Sequence, residues 1–229
     1  PPGRWRLGHH LDLPRSGRLP DGVYARAYGP DGAPRGAEFR VNDATAGYQD
    51  MPEVAGLSDG GFVIVWREGL GTAIRMARYD ATGTRTVADF QVETSTNNTQ
   101  TQPTVTALSN GGWVVGWATN ATDAGGGDGD SYAVATQVFN AAGAPVGGET
   151  VINTQTVGNQ SQPDIAALDN GRFIVVWADN DPAGDGSASS VKARMVAANG
   201  VPEGAGDMLL NVNTLSTQNF PAVASHPDG

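Results

Sequence analysis

The chain contains no cysteine. That excludes disulfides, cysteine zinc sites and thiol nucleophiles. It is also poor in charge: only 17% of residues are charged, and 14 Lys and Arg stand against 24 Asp and Glu, a net −10. Phosphate backbones need clustered basic residues, so nucleic acid is excluded as a partner, whereas divalent cations are permitted. No apolar run approaches the roughly 20 residues that span a bilayer; the longest lies near Phe173–Trp177. No signal peptide is visible at Pro1, and the sequence reads as starting within a longer protein. No stretch keeps the helical period of 3.6 over a useful length.

What is present is glycine, 32 of 229 residues, with frequent Asn and Thr, and a repeat. Gln-x-x-Pro recurs at Gln49/Pro52, Gln100/Pro103, Gln160/Pro163 and Gln218/Pro221. An alternating segment follows each Pro: "PEVAGLSDGGFVIVW", "PTVTALSNGGWVVGW", "PDIAALDNGRFIVVW" and the shorter "PAVASHPDG". Seven residues before each Gln stands Asn42, Glu93, Asn153 or Asn211. Asn42 to Trp66, Glu93 to Trp117 and Asn153 to Trp177 are each 24 residues, which marks a rigid unit. Length varies only after the Trp, in "REGLGTA", "ATNATDAGGGDGDS" and "ADNDPAGDGSAS".

Each unit reads as four strands. In the third repeat they are Val105–Leu108, Trp113–Trp117, an alternating Tyr132–Asn140 and a strand around Glu149–Asn153, joined by Asn-Gly-type and "DATG" or "NAAG" turns. Four antiparallel strands in 50–60 residues, repeated, describe a β-propeller blade. A lone sheet of that size buries too little apolar area to offset its chain entropy, and stacked blades solve the problem. The expected fold is therefore all-β, a propeller-like array of about four repeats and a slice of a larger propeller. The chain 1–229 forms one repeat domain, with units near 1–48, 49–99, 100–159 and 160–217 and a partial one at 218–229.

The segments "VYARAYGPDGAPRGAEFRVN" and "QPTVTALSNGGWVVGW" resemble β repeats of large bacterial extracellular proteins, the RTX or hemolysin-type calcium-binding adhesins. The resemblance covers Val23 to Gly229. It implies a secreted or cell-surface bacterial protein, calcium as cofactor and an adhesive, non-catalytic role. The calcium nonapeptide of that class is absent as a tandem array; "AGGGDGDS" only echoes it.

Trp66, Trp117 and Trp177 are expected to pack blade on blade. Gln49, Gln100, Gln160 and Gln218 are expected to bond backbone groups of a neighbouring turn. Each following Pro suits the first residue of a strand. The candidate metal ligands are Asp123, Asp128 and Asp130 in one loop and Asp179, Asp181 and Asp185 in the other. Calcium takes six to eight oxygens on a backbone that glycine lets bend, while the same residues also favour plain solvated turns. No Ser-His-Asp grouping is supportable, because His226 is the only histidine inside the repeat.

The N-terminal "RWRLGHHLDLPRSG" carries the paired His9 and His10 beside Asp12, yet register puts it where a "GFVIVW"-like strand belongs. A one-nucleotide slip over Arg6–Arg18, with suitable codons, reads V-W-V-I-T-W followed by an acidic stretch, close to "WVVGW". Residues 1–19 are therefore read as frame-shifted or non-native sequence. The leading functional reading is a non-catalytic, calcium-binding structural or binding module, not an enzyme, with a carbohydrate or a protein surface as partner. The alternative is a polysaccharide-acting enzyme or a carbohydrate-binding propeller.

Overall fold

Alternating apolar segments ending in a Trp build the molecule. The computed structural model describes the backbone of residues 6–7 and residues 22–29, 31–94, 99–120, 131–181, 188–212 and 216–225. Sixteen strands occur among them, with one 3-10 turn at Asp169–Gly171. The first group is β1 (Arg6–Leu7), β2 (Tyr24–Ala25), β3 (Ala27–Tyr28) and β4 (Phe39–Arg40), where β1 pairs with β3 and β2 with β4. The second blade is β5 (Gln49–Gly56), β6 (Phe62–Glu68), β7 (Ala73–Tyr79) and β8 (Arg85–Gln91). The third is β9 (Gln100–Ala107), β10 (Trp113–Asn120), β11 (Tyr132–Phe139) and β12 (Pro145–Val151). The fourth is β13 (Gln160–Ala167), β14 (Phe173–Asp179), β15 (Ser190–Val196) and β16 (Met208–Leu209). Each of these three blades is an antiparallel sheet with its strands in chain order. Together they form the propeller-like array expected from the repeat.

The cores lie between blades rather than within them. Trp66 packs with Val23, Ala25 and Val41 of the first group. Trp117 joins Val63, Ile74 and Met76 of the second blade, and Trp177 joins Val114, Val134 and Ile152 of the third. All three Trp side chains have no exposed surface. Burying one such side chain contributes roughly 3 kcal/mol, so the array is held by blade-on-blade stacking.

Two local expectations need correction. β11 does not alternate: seven of its eight residues are buried, because both faces of the sheet meet neighbouring blades. Pro52, Pro103 and Pro163 are each the fourth residue of their strand, not the first, and Pro221 lies in no strand. Each of the first three belongs to a β-bulge, in which Met51–Pro52, Gln102–Pro103 and Gln162–Pro163 each oppose a single Trp. A bulge leaves one residue out of the ladder, so the missing proline N–H costs nothing there. The residue before each Pro takes a positive φ: 51° at Met51, 53° at Gln102, 56° at Gln162 and 54° at Phe220.

Candidate functional site

Antiparallel pairing collects one set of chain segments at one end of every blade. Gln160 at the start of β13 faces Asp179 at the end of β14, which faces Ser190 at the start of β15. The variable loops and the links between blades therefore share this end. The core positions repeat here, but the polar ones do not. Arg67-Glu68 of the second blade become Ala118-Thr119 in the third and Ala178-Asp179 in the fourth. A site on this array belongs where the units stop being alike.

The first feature is an ion pair that reaches between blades. Arg67 forks onto Asp50, Nε donating to Oδ1 at 2.7 Å and Nη2 to Oδ2 at 2.6 Å, while Nη1 donates to Thr101 Oγ1 of the next blade at 3.1 Å. Donating to the Asp50 carboxylate pushes the Arg67 guanidinium further up. Asp50 keeps 36% of its side chain exposed. Glu53, three residues along β5, is also exposed. In a regular strand those two would face opposite sides. The intervening bulge adds one residue, since Asp50 pairs with Arg67 but Glu53 with Val65. That shift restores the parity and puts both residues on one face, their backbone positions about 7 Å apart along the strand.

The second feature runs along the first strands of successive blades. Gln102 Oε1 accepts the Gln162 N–H at 2.8 Å, and Gln162 Oε1 accepts the Phe220 N–H at 2.8 Å. Asp164 continues the series, its Oδ2 accepting from Val223 N–H at 2.8 Å. The positive-φ residues thus stitch each first strand to the next.

The sequence-predicted metal ligands separate into two groups. Asp123, Asp128, Asp130 and Asp185 lie outside the described residues, as do His9, His10 and His226. Asp179 and Asp181 are buried and adjacent: Asp179 Oδ1 accepts the Asp181 N–H at 2.8 Å. Asp179 Oδ2 stands 2.8 Å from Lys192 Nζ, a charge contact rather than an aligned hydrogen bond. Asp181 accepts from the Gln155 side chain. No group of three or more His, Cys, Asp or Glu that could hold a metal occurs among the described residues.

The repeated glutamines take up positions inside the joints. Gln49 and Gln160 are buried and accept from Asn42 Nδ2 at 3.1 Å and Asn153 Nδ2 at 3.3 Å. Their own Nε2 groups donate to Ala46 O and Val157 O. The buried side-chain amide of Gln100 has no partner among the described residues, and Gln218 N–H donates to Ser189 O at 3.3 Å.

One recurrent contact was missed in the sequence. An acid stands four residues before each Asn or Glu of the joint: Glu38, Asp89, Glu149 and Asp207. Asp89 accepts the Asp43 N–H at 3.0 Å, Glu149 that of Thr94 at 3.0 Å, and Asp207 those of Thr154 and Gln155 at 3.0 Å. Asp89, Glu149 and Asp207 therefore each clamp the link leaving the preceding blade. The signal was the acid's fixed offset, visible in "AEFRVN", "ADFQVE", "GETVIN" and "GDMLLN".

No protein-family model and no curated protein matches the sequence. Solved structures do match. The Penicillium chrysogenum α-L-arabinanase complexed with arabinobiose superposes with a TM-score of 0.57 at 13% identity, over 91% of this chain and 65% of that one. A Dyadobacter fermentans protein of unknown function gives a TM-score of 0.50 at 17% identity, over 76% of this chain and 45% of that one. A Hadza microbial sialidase gives 0.50 at 12% identity, over 76% and 38%. This chain therefore spans less than two thirds of each of these proteins. Two of these three neighbours are named as sugar-acting enzymes and none as a calcium-binding adhesin repeat, and this overturns the resemblance to the RTX class. The readings that hung on it fall with it: non-catalytic module, not an enzyme, calcium-binding adhesin. At these identities the likeness establishes the fold, a β-propeller-type array of antiparallel blades.

Proposed function

We propose that the chain is the propeller portion of a carbohydrate-acting enzyme, with a glycan bound at the loop end of the blades against the first strands. The observation that carries this reading is the superposition on an α-L-arabinanase across 91% of the chain. The residue pattern supports it at one place. Hydrolysis of a glycosidic bond uses two carboxyl groups, roughly 5–9.5 Å apart depending on stereochemistry. Asp50 and Glu53 share one face of β5 and are solvent-accessible, and their backbone positions lie about 7 Å apart along the strand, which lets their carboxyl groups approach that separation. Arg67 fixes the orientation of Asp50, which suits it to attack or to activate water. Glu53 is then the acid that protonates the leaving oxygen, and in a retaining course the base that takes the proton of the incoming water.

The test compares the wild-type chain with Asp50→Asn and Glu53→Gln on oligosaccharide substrates, with circular dichroism as the control for folding. The expected result is loss of turnover by about 100-fold or more in each variant, with KM changed little. Full turnover by both variants would remove these residues from the chemistry.

A further inference from the structure

Four of the links between units carry at least half of a polar pin: Asn211 Oδ1 accepts the Val191 N–H at 2.8 Å, two pins are complete, and one is built differently. Asn42 Oδ1 accepts the Val23 N–H at 2.8 Å while its Nδ2 donates to Gln49 Oε1 at 3.1 Å. Asn153 repeats the arrangement with Val134 N–H at 2.9 Å and Gln160 Oε1 at 3.3 Å. Between the second and third blades the residue is Glu93. Its Oε2 accepts the Ile74 N–H at 2.9 Å, so it takes the place of the asparagine oxygen.

The other half of the pin is not made. Among the described residues Glu93 Oε1 has no donor, and neither side-chain amide atom of Gln100 has a partner. Glu93 is 3% exposed and Gln100 fully buried. Thr119, opposite Gln100 in the sheet, also buries a hydroxyl oxygen without a partner. Leaving such groups unpaired is destabilising. An asparagine at this position would donate to Gln100; a carboxylate presents an acceptor to an acceptor. A carboxylic acid presents a donor.

We infer that Glu93 is a protonatable pin: as the acid its Oε1–H donates to Gln100 Oε1, and as the carboxylate it leaves that bond open, so the joint between the second and third blades responds to pH while the asparagine joints do not. The charged groups facing Glu93 are Glu149 from β12 and Arg75 from β7. Arg75 is itself engaged by Asp89 at 2.7 Å and Glu68 at 3.2 Å. Burial outweighs them all and pushes the Glu93 carboxyl up to about 7. The folded value exceeds the ordinary value of 4.5. The pin's contribution is therefore complete below about pH 4.5 and is lost progressively as pH rises to about 7.

The experiment follows the Glu93 side-chain carboxyl carbon by NMR through a pH titration and records Tm over the same range for wild type, Glu93→Asn and Glu93→Gln. Both variants carry a permanent amide donor, and the asparagine copies the sibling joints. The expected result is a carboxyl midpoint near 7 and a wild-type Tm that falls between about pH 5 and about pH 8 relative to both variants. A midpoint in the ordinary carboxylate range, or three Tm profiles of the same shape, would overturn the inference. The second result also covers the case in which Gln100 turns its amide over to satisfy the carboxylate.

Discussion

Gly116 in β10 lies against Ile165 of the following blade: a Cβ at 116 would stand 2.8 Å from Ile165 Cδ1 and 3.2 Å from Thr104 Cγ2. At the preceding joint the same two positions hold Val65 and Val105, which share one core. Side-chain volume is thus exchanged across the joint, glycine against isoleucine or valine against valine. Overpacking a close-packed core costs about 1–3 kcal/mol. Gly116→Val should therefore destabilise by that amount, and Gly116→Val with Ile165→Val should recover most of it. Urea unfolding of the four variants in the cycle reads the coupling, and strictly additive losses would show that the two sites do not share volume.

Asp179 and Lys192 form a second such exchange. The equivalent residues are Glu68 and Arg75 in the second blade, 3.2 Å apart, and the neutral Thr119 and Ala135 in the third. Acid and base are present together or absent together. Breaking a buried pair by removing one partner costs about 3–5 kcal/mol, whereas replacing both can be nearly neutral. Lys192→Ala should lose an amount in that range, and Lys192→Ala with Asp179→Thr should lose much less. Thermal unfolding distinguishes the two outcomes.

Asp207 accepts two backbone N–H groups of the link that leaves the third blade, those of Thr154 and Gln155. Hydrogen bonds to a charged group contribute about 1.5–3 kcal/mol. Asp207→Ala should destabilise by about that much, and amide exchange at Thr154 and Gln155 should accelerate more than elsewhere. Uniform acceleration across the chain would instead assign Asp207 a general role in stability.

The N-terminal stretch has its own test. Arg6 pairs with Tyr28 in the register in which Trp113 pairs with Phe139, so β1 enters the slot of a second strand for two residues. The slipped reading frame puts its first Trp at position 7, one residue along. It requires T at the third codon position of Arg6, Gly8 and His9. A nucleotide sequence lacking those bases refutes the slip.

The 24-residue spacing was legible because it counts residues in continuous contact: from the joint, through the first strand, to the Trp opposite the bulge. The bulge itself was not legible. Its proline looks like a strand start until the register shows two residues facing Trp117. Lys192 was equally hidden as the partner of Asp179, because a loop of variable length separates them in the chain. The Asp207 clamp spans 53 residues and had to be found as a recurring offset rather than a neighbour. A carbohydrate-acting propeller was legible only as the alternative, and no motif raised it above the leading reading. At 13% identity the shared quantity is blade geometry, which depends on apolar pattern and turn placement rather than on residue identity.

The central claim is that this propeller acts on carbohydrate. Reducing-sugar release, followed chromatographically while the chain is incubated with a panel of arabinan, xylan, galactan and sialylated oligosaccharides, tests it most directly. The account predicts release from at least one of these glycans by the wild-type chain, abolished in the Asp50→Asn, Glu53→Gln double variant. No release from any of them, together with no glycan binding by calorimetry, would contradict it.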